Sequence, residues 1–263
     1  MKIIIAIPAR IGSTRLPAKA LADICGEPMV VRVWRRCSRV RGAATVLVAT
    51  DDERICAAVR SAGGKAVLTA AGHASGTDRI AEAVRGEDCD LVVNVQGDEP
   101  FIETEPLEAL VAAFSAAEAP DAATLATPIR EAADLLDPSV VKVLVGLDGN
   151  AVYFSRHPIP WREGLRGAGS AGSAAAAGTC GAAIDTSGYL RHIGVYAFRP
   201  AFLQRFTSLE RTFGERSERL EQLRILEHGC RIRVVLTPWE ALAVDTQEDL
   251  DRARARAARE AGR

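Results

Sequence analysis

The sequence predicts an α/β fold with a mostly parallel twisted sheet, helices on both of its faces, and a smaller lobe that contains a hairpin. In the first half of the chain, short apolar runs typical of buried strands alternate with segments of helical spacing. In the second half, two apolar runs flank Asp148-Gly149, a dipeptide that favours a hairpin turn. Sheets of this kind bind ligands beyond the carboxyl ends of their strands, so the loops there are the candidate site.

The expected elements of the first half follow one another as strand, helix, strand. The predicted strands cover residues 2–8, 45–50, 65–69, 90–95 and 122–129. The predicted helices cover residues 28–40, 52–64, 76–86 and 104–114. Gly63 and Gly86 are expected to stop two of these helices. Thr77 or Asp78 is the expected N-cap of the third helix, and Thr104 that of the fourth.

The second half is organised differently. A hairpin is expected over 140–156, with strands over 190–199 and 231–237 and helices over 215–229 and 245–260. The stretch 164–183, rich in Gly, Ala and Ser, is interpreted as a flexible surface loop, with a lid as the alternative.

The composition fits one core, or one core with a smaller lobe. The 263 residues carry a formal net charge of −1, which argues against a nucleic-acid-binding protein. No apolar run approaches the roughly 20 residues of a membrane-spanning helix, and no signal-peptide pattern opens the chain. None of the six cysteines lies at C-x-x-C spacing, and the four histidines contain no H-x-x-x-H pair. We expect a cytoplasmic protein with reduced thiols, no zinc site, and no nucleic-acid or membrane partner.

The loop after the first strand contains three cations. "PARIGSTRLPAK" runs from Pro8 to Lys19 and includes Arg10 and Arg15. A polyanion such as a nucleotide triphosphate requires several cations and free backbone N–H groups, and this loop offers both. The alternative is a solvated surface loop.

Carboxylates follow a later buried strand and precede the last helix. Asp98 and Glu99 in "VQGDEP" would lie at a strand's carboxyl end, where a carboxylate can hold Mg²⁺ together with phosphate oxygens. Their alternative is a polar turn. Asp245 in "VDTQEDL" is either the N-cap of the last helix or a second ligand of the same metal. Spacing does not show whether Asp98 and Asp245 meet.

Two further sets of polar groups are candidates. "HASGTDR" (73–79) offers hydroxyls and a helix N-terminus that suit a base or a phosphate, or that only cap the helix. The second set lies on the expected helix 215–229 and the strand before it: Glu218, Glu221, Gln222, Arg191 and His192. These groups either bind a ligand or face solvent.

Taken together, these segments resemble the 3-deoxy-manno-octulosonate (Kdo) cytidylyltransferase family, also called the CMP-Kdo synthetase family. The matching stretches are, in the family's order, "IPARIGSTRLPAKALADICGEPMV", "VATDD", "HASGTDRIAE", "VNVQGDEP", "VVKV", "YFSRHPIPW", "LRHIGVYAFR", "LEQLR" and "VDTQEDL". The resemblance implies a nucleotide-diphospho-sugar transferase-like fold and a homodimer. It also implies the Mg²⁺-dependent transfer of CMP from CTP to Kdo with release of pyrophosphate, a step of lipopolysaccharide biosynthesis.

The resemblance further implies roles for individual residues. On the nucleotide side it places Pro8, Ala9, Arg10, Lys19, Ser75, Gly76, Thr77, Arg79 and Gln96. The implied catalytic residues are Lys19, Arg10, Arg15 and Asp98, and the implied metal ligands are Asp98 and Asp245. On the acceptor side it places Arg156, His192, Tyr196, Glu221 and Gln222. It divides the single domain into a nucleotide-binding part (1–135), an acceptor-binding and dimerisation lobe (136–240), and a C-terminal segment with a metal ligand and a helix (241–263).

The sequence departs from the family pattern at three places, and the first and third of these, near the acceptor side, leave the acceptor open. The family's Pro-Leu-Glu or Pro-Ile-Glu is Phe-Gly-Glu at 213–215, Ala-Val at 243–244 replaces the usual Gly, and the insert 164–183 is longer than expected. The alternative acceptor is phosphonoformate, as in the biosynthesis of phosphonate natural products. The alternative of another class is a non-catalytic nucleotide-binding protein of the same fold. The number of metal ions and the dimer contacts also stay open.

Overall fold

The chain divides into two compact units in a computed structural model that describes residues 1–13, 15–115, 119–165 and 184–262. The first unit comprises Met1–Ala123, Gly194–Leu209 and Trp239–Arg263, and the second comprises Thr124–Ile193 and Glu210–Pro238. The predicted loop 164–183 falls outside the described residues from residue 166 onward.

Strands and helices alternate along much of the chain. The strands are β1 (Ile3–Ala9), β2 (Ala43–Thr50), β3 (Lys65–Leu68), β4 (Leu91–Asn94), β5 (Ala122–Pro128), β6 (Lys142–Val145), β7 (Ala151–Ser155), β8 (Leu190–Phe198) and β9 (Ile232–Leu236). The helices are α1 (Met29–Cys37), α2 (Glu53–Ser61), α3 (Gly76–Ala83), α4 (Thr104–Ala112), α5 (Ala132–Leu136), α6 (Pro200–Ser208), α7 (Phe213–Glu218), α8 (Gln222–Glu227) and α9 (Gln247–Ala261). In the described part of the chain, no helix has the length and apolar character that a membrane crossing requires.

The sheet of the first unit has the strand order β3-β2-β1-β4-β8. β1 lies parallel to β2 on one side, with Ile7 opposite Val48, and parallel to β4 on the other, with Ala6 opposite Asn94. β1 is buried along its whole length, which explains its apolar sequence because a central parallel strand is covered on both faces. α1, α2 and α3 pack against these strands, and β8 runs antiparallel to β4. The predicted α/β fold with a mostly parallel sheet is confirmed.

The second unit contains the predicted hairpin. β6 and β7 pair in antiparallel fashion, with Val143 opposite Phe154. Gly149 supplies the turn with a φ of +77°, in the left-handed region that glycine enters without steric cost. The Val234 N–H of β9 donates to the Gly149 carbonyl at 3.0 Å, so the hairpin turn is held by the neighbouring strand.

Two predicted helix caps are wrong. The N-cap of α3 is Ser75, whose hydroxyl accepts the N–H of Asp78 at 3.1 Å, so neither Thr77 nor Asp78 has that role. Thr104 is the first residue of α4 and not its cap. In both cases the helix begins at the predicted residue, and the N-cap is the residue before it, whose backbone is extended.

The expected single helix over 215–229 is two helices, α7 and α8. Arg219 ends α7 in a left-handed conformation with a φ of +55°. Nothing in the residue type marks this turn, since glycine is the usual occupant of such a position. α6 was not predicted, although Pro200 at its first position is a typical helix start.

Candidate active site

A cavity of about 450 Å³ lies in the first unit, at the carboxyl ends of β1 and β4. Its lining residues are Pro8, Ala9, Arg10, Ser13, Arg15, Lys19, Ala20, Met29, His73, Ala74, Ser75, Gly76, Arg79, Gln96, Gly97, Asp98 and Asp245. The cavity therefore brings together every predicted nucleotide-side, catalytic and metal-binding residue except Thr77. Thr77 is buried inside α3, where Asn94 lies at hydrogen-bond distance from its hydroxyl.

Lys19 lies between the two carboxylates of the cavity. Its Nζ donates to Asp98 Oδ2 at 2.6 Å and to Asp245 Oδ1 at 2.9 Å. Arg15 Nη2 lies 3.1 Å from the other oxygen of Asp245. Burial by itself lowers the pKa of Lys19, but Asp98 and then Asp245 outweigh it, and the pKa lies above its ordinary value. Asp98 and Asp245, far apart in sequence, thus converge on one cation.

Apolar packing holds the charged segments of the cavity in place. Leu16 lies in the loop that carries Lys19, Phe101 follows Asp98, and Val244 precedes Asp245. All three belong to one buried hydrophobic cluster. The Val244 N–H also donates to the Asp98 carbonyl oxygen at 2.9 Å. The positions of the two carboxylates are therefore set by the core as well as by their own charges.

Asp245 does not cap the last helix. Thr246 is the N-cap of α9, and its hydroxyl accepts the N–H of Asp249 at 3.2 Å. The Asp249 carboxylate in turn accepts the N–H of Thr246 at 2.9 Å, which completes a capping box. The interpretation of Asp245 as the N-cap is wrong, and its carboxylate belongs to the cavity.

Arg10 and Arg79 are both in the cavity wall but differ in their partners. Arg10 is exposed, and within the described residues it makes no hydrogen bond or ion pair. Arg79 is buried, and its guanidinium donates to Asp51 Oδ2 at 2.9 Å and to Thr69 Oγ1 at 2.7 Å. The other Asp51 oxygen accepts the N–H of Ile11 at 3.3 Å. Arg79 therefore supports the backbone of the cationic loop, while Arg10 is available to an anionic ligand.

Two glycines let the loops around the cavity approach one another. A Cβ on Gly97 would lie 2.8 Å from the Pro8 carbonyl oxygen, and a Cβ on Gly76 would lie 3.0 Å from Pro8 Cγ. The loops after β1 and β4 and the start of α3 thus meet around Pro8, where a side chain on Gly97 would displace backbone and a side chain on Gly76 would crowd the proline ring.

Sequence reasoning assigned no role to His73, which lines the cavity. His73 Nε2 is hydrogen-bonded to the Glu82 carboxylate, which also accepts the N–H of Ala70 at 3.2 Å. The signal was present, because His73 begins the "HASGTDR" motif. The Ser75 hydroxyl of the same motif caps α3. The capping interpretation and the ligand-binding interpretation of this motif therefore refer to the same position in the cavity wall.

Four of the five predicted acceptor residues lie in the second unit, and Tyr196 lies in the first. Tyr196 is buried on β8 and stacks on Phe198, with ring centroids 5.7 Å apart. Glu221 precedes α8, and Gln222 is buried at the first position of that helix. In the described part of the chain, Gln222 Nε2 has no hydrogen-bond partner.

His192 is neutral in the folded protein. Its ring lies edge-on to Phe154, with centroids 5.0 Å apart, and its Nε2 lies 3.0 Å from Thr124 Oγ1. The Thr124 hydroxyl donates to the Ile193 carbonyl at 3.2 Å, so its oxygen accepts a hydrogen bond from the Nε2–H of His192. Burial lowers the pKa of His192 to about 3. The ring is therefore a neutral hydrogen-bonding group at physiological pH.

A family model described as cytidylyltransferase matches residues 3–232. The 3-deoxy-manno-octulosonate cytidylyltransferase of Geobacter sulfurreducens is 44% identical over 96% of this chain and 98% of its own. The enzyme of that name from Syntrophobacter fumaroxidans is 45% identical over 95% of both chains.

Solved structures agree with the sequence relatives. A structure of CMP:2-keto-3-deoxy-manno-octonic acid synthetase complexed with CTP covers 99% of this chain and 100% of its own, with a TM-score of 0.86 and 40% identity. A 4-diphosphocytidyl-2C-methyl-D-erythritol synthase from Anaerococcus prevotii shares the fold, with a TM-score of 0.62 and 14% identity over 98% of this chain and 99% of its own.

Proposed function

This chain belongs to the cytidylyltransferase family, and on that premise we propose that it is a nucleotidyltransferase that moves CMP from CTP to Kdo and releases pyrophosphate. The observation that carries the proposal is the convergence of Arg10, Arg15 and Lys19 with Asp98 and Asp245 on one cavity. The relatives that match nearly the whole chain, at 44% and 45% identity, are Kdo cytidylyltransferases. Cations and carboxylates together suit a substrate that carries a triphosphate.

The nucleotide binds in the first unit in this proposal. Arg10 and Lys19 face the triphosphate, and Arg15 adds a third positive charge beside Asp245. The acceptor oxygen attacks the α-phosphorus in line and pyrophosphate leaves, so the protein contributes positioning and charge neutralisation more than covalent chemistry. Ser75, Gly76, Arg79 and Gln96 form the wall on the cytidine side.

Asp98 and Asp245 fit a site for Mg²⁺. An oxygen of each carboxylate lies within 2.9 Å of the same Lys19 ammonium, so both already point at one cation. Mg²⁺ is typically held by one or two carboxylates together with phosphate oxygens and water. Among the described residues no group of three or more His, Cys, Asp or Glu side chains could hold a metal, so the substrate phosphates would complete this site. When bound, the metal would polarise the α-phosphate and orient the acceptor.

Four of the predicted acceptor residues, Arg156, His192, Glu221 and Gln222, lie in the second unit, and we assign acceptor binding to them. Arg156 supplies the positive charge that an acidic sugar requires. The buried Gln222 Nε2, which lacks a partner in the described part of the chain, and the neutral His192 suit hydroxyl groups. In this account the first unit is the nucleotide-binding part and the second the acceptor-binding lobe.

We also propose a cytoplasmic homodimer. Large apolar side chains are exposed on the β6–β7 hairpin and on β9, which contacts β7: Leu147, Val152, Tyr153 and Leu236. Such groups on one lobe favour coverage by a second copy. A cytoplasmic location is supported by the free thiols of Cys25, Cys37, Cys56, Cys89 and Cys230. Light scattering should give twice the monomer mass, and a monomer at micromolar concentration would contradict the dimer.

Pyrophosphate release tests the proposed function. CTP, UTP, ATP and GTP are each combined with Kdo, sialic acid or phosphonoformate in the presence of Mg²⁺. We expect release only with CTP, and the highest kcat/KM with Kdo. Preference for phosphonoformate would contradict the assigned acceptor, and no release with CTP and any acid would contradict the enzyme class. Asp98→Asn should abolish turnover, and unchanged turnover would contradict the metal site.

A further inference from the structure

We propose that Glu218 is a positioning residue that holds Arg156 in the orientation needed to bind the carboxylate of an acidic acceptor. This inference rests on the proposed function, which assigns Arg156 to the acceptor. Glu218 itself is not expected to touch the substrate. All the contacts that carry the proposal lie within the second unit.

Glu218 contacts the segment of Arg156 at three points. Its Oε1 accepts the hydroxyl proton of Ser155 at 2.7 Å, and its Oε2 accepts the backbone N–H of Arg156 at 3.0 Å. Its backbone carbonyl accepts the Arg156 Nε–H at 2.7 Å. One residue of α7 therefore fixes both the backbone and the side chain of Arg156 at the end of β7.

Lys142 fixes the remaining backbone group of Arg156. The Lys142 side chain is fully buried, and its Nζ donates to the Arg156 carbonyl at 2.7 Å. It also donates to the carbonyls of Val140 and Asp137 at 2.8 and 2.9 Å. The ammonium thus fills its three donor positions with carbonyl oxygens and keeps the chain around Arg156 in one conformation.

The guanidinium of Arg156 is left with one open edge. Its Nη1 donates to the Pro138 carbonyl at 2.9 Å, and its Nε is held by Glu218. Its Nη2 makes no hydrogen bond within residues 1–13, 15–115, 119–165 and 184–262. The residue is half-buried, and its hydrogen bonds to Glu218 and Pro138 orient the guanidinium through the protein alone. A donor that is fixed in this way loses little conformational entropy when an anion binds.

A neighbouring pair shows what a purely structural arginine looks like in this unit. Arg224 donates from Nε and Nη2 to the two oxygens of Glu215, both at 2.8 Å, and both side chains are buried. There the carboxylate neutralises the guanidinium directly. Glu218 instead uses its carboxylate on Ser155 and on the Arg156 backbone, so the Arg156 charge remains available to a ligand.

Glu218 also connects two predicted acceptor segments. The left-handed Arg219 follows it and turns the chain toward Glu221 and Gln222. Through Glu218, the end of β7 is therefore tied to the segment that carries these two residues. A loss of the carboxylate should affect acceptor binding and not the nucleotide cavity of the first unit.

Steady-state kinetics with Kdo tests the proposal. Glu218→Ala should raise the KM for Kdo by about tenfold, because the carboxylate's hydrogen bonds to the Ser155 hydroxyl and the Arg156 backbone N–H are lost and the segment that carries Arg156 is no longer fixed. The KM for CTP should stay within about twofold. Glu218→Gln should restore most of the affinity, since an amide can donate to Ser155 Oγ and accept from the Arg156 N–H. The matched control is Glu227→Ala, which removes another carboxylate of this unit that accepts a backbone N–H, that of Gly214 at 3.1 Å.

A double-mutant cycle with Arg156→Ala separates positioning from general structural damage. If Glu218 acts through Arg156, the double variant has the same Kdo KM as Arg156→Ala alone. If the two substitutions raise the Kdo KM by factors that multiply in the double variant, the positioning role is wrong. It is also wrong if Glu218→Ala leaves the Kdo KM normal while Arg156→Ala raises it. Either result leaves the proposed function intact. An unchanged Kdo KM in Arg156→Ala would instead contradict the acceptor assignment in the proposed function. If Glu218→Ala does not fold, judged by CTP affinity and thermal unfolding, Glu218→Asp takes its place in the cycle.

Discussion

Lys19→Met tests whether Asp98 and Asp245 form one cation site. The substitution keeps an unbranched side chain of similar length and removes the ammonium that lies 2.6 Å from Asp98 Oδ2 and 2.9 Å from Asp245 Oδ1. The two carboxylates then lose the cation that they share, while Arg15 Nη2 still lies 3.1 Å from Asp245 Oδ2. We expect a less stable protein in the absence of divalent ions, and a protein that responds more strongly to Mg²⁺.

The magnitude follows from the exposure of the three groups. Removing one partner of a buried hydrogen bond costs about 1–3 kcal/mol, and more where the groups are charged. The exposed fractions are 17% for Lys19, 26% for Asp98 and 39% for Asp245, so solvent screens part of the interaction. We therefore expect the free energy of unfolding to fall by about 1–2 kcal/mol. In the proposed function Lys19 stabilises the reacting phosphates, so its loss should also lower kcat by about 100-fold.

Urea unfolding in EDTA and in millimolar MgCl₂ is the assay. Without the competing ammonium, Mg²⁺ should bind the folded variant more tightly, and each tenfold gain in affinity adds about 1.4 kcal/mol of stabilisation at saturating metal. The matched control is Lys65→Met, which removes an exposed pair with Glu87 at 2.8 Å and should change stability by less than about 0.5 kcal/mol. A Lys19→Met protein as stable as the wild type in EDTA, with no larger response to Mg²⁺, would refute the shared cation site.

Three substitutions test single side chains of the two units. Arg10→Ala should weaken CTP binding by about tenfold in calorimetry and leave the melting temperature unchanged, because Arg10 has no partner in the described part of the chain; a large drop in melting temperature would contradict this. Lys142→Met should lower the free energy of unfolding by about 2–4 kcal/mol in urea titrations, since it strands three carbonyls around a fully buried side chain; an unchanged midpoint would contradict the role of the ammonium. His192 should cost stability in acid: its folded pKa is about 3, below the ordinary 6.5, so the unfolded chain binds the extra proton and stability falls as pH drops from 6.5 toward 3. The difference in the free energy of unfolding between wild type and His192→Gln should change by about 1.4 kcal/mol per pH unit near pH 5. If the two proteins show the same pH dependence, the ring titrates normally and the prediction is wrong.

Local sequence signals predicted the positions of the cavity loops well. Short stretches of sequence indicate the buried strands β1 and β4 and the glycines at 76 and 97. Strand burial and close backbone approach each restrict the residue types within a few positions of one another. The charged residues that follow these strands therefore appeared as candidates before their contacts were known.

Contacts between distant segments could not be read in this way. That Asp98 and Asp245 share Lys19 depends on the packing of Leu16, Phe101 and Val244 in one cluster, which no local spacing encodes.

The backbone of the second unit contains a turn that the sequence also does not reveal. The break between α7 and α8 depends on a left-handed Arg219, a residue type that gives no warning of such a turn. Glu218 contacts Ser155 and Arg156, and Arg156 lies 62 residues away in the chain. Because no local pattern shows such a contact, Glu218 has the sequence appearance of an ordinary solvent-facing charge on a helix.

Phosphorus NMR of a reaction of the purified protein with CTP, Kdo and Mg²⁺ tests the central claim most directly. We expect the CTP signals to disappear while a phosphodiester signal of CMP-Kdo and a pyrophosphate signal grow with integrated intensities in the ratio of one to two, and we expect neither signal with Asp98→Asn. Release of inorganic phosphate without a phosphodiester signal, or equal product formation by Asp98→Asn, would contradict it.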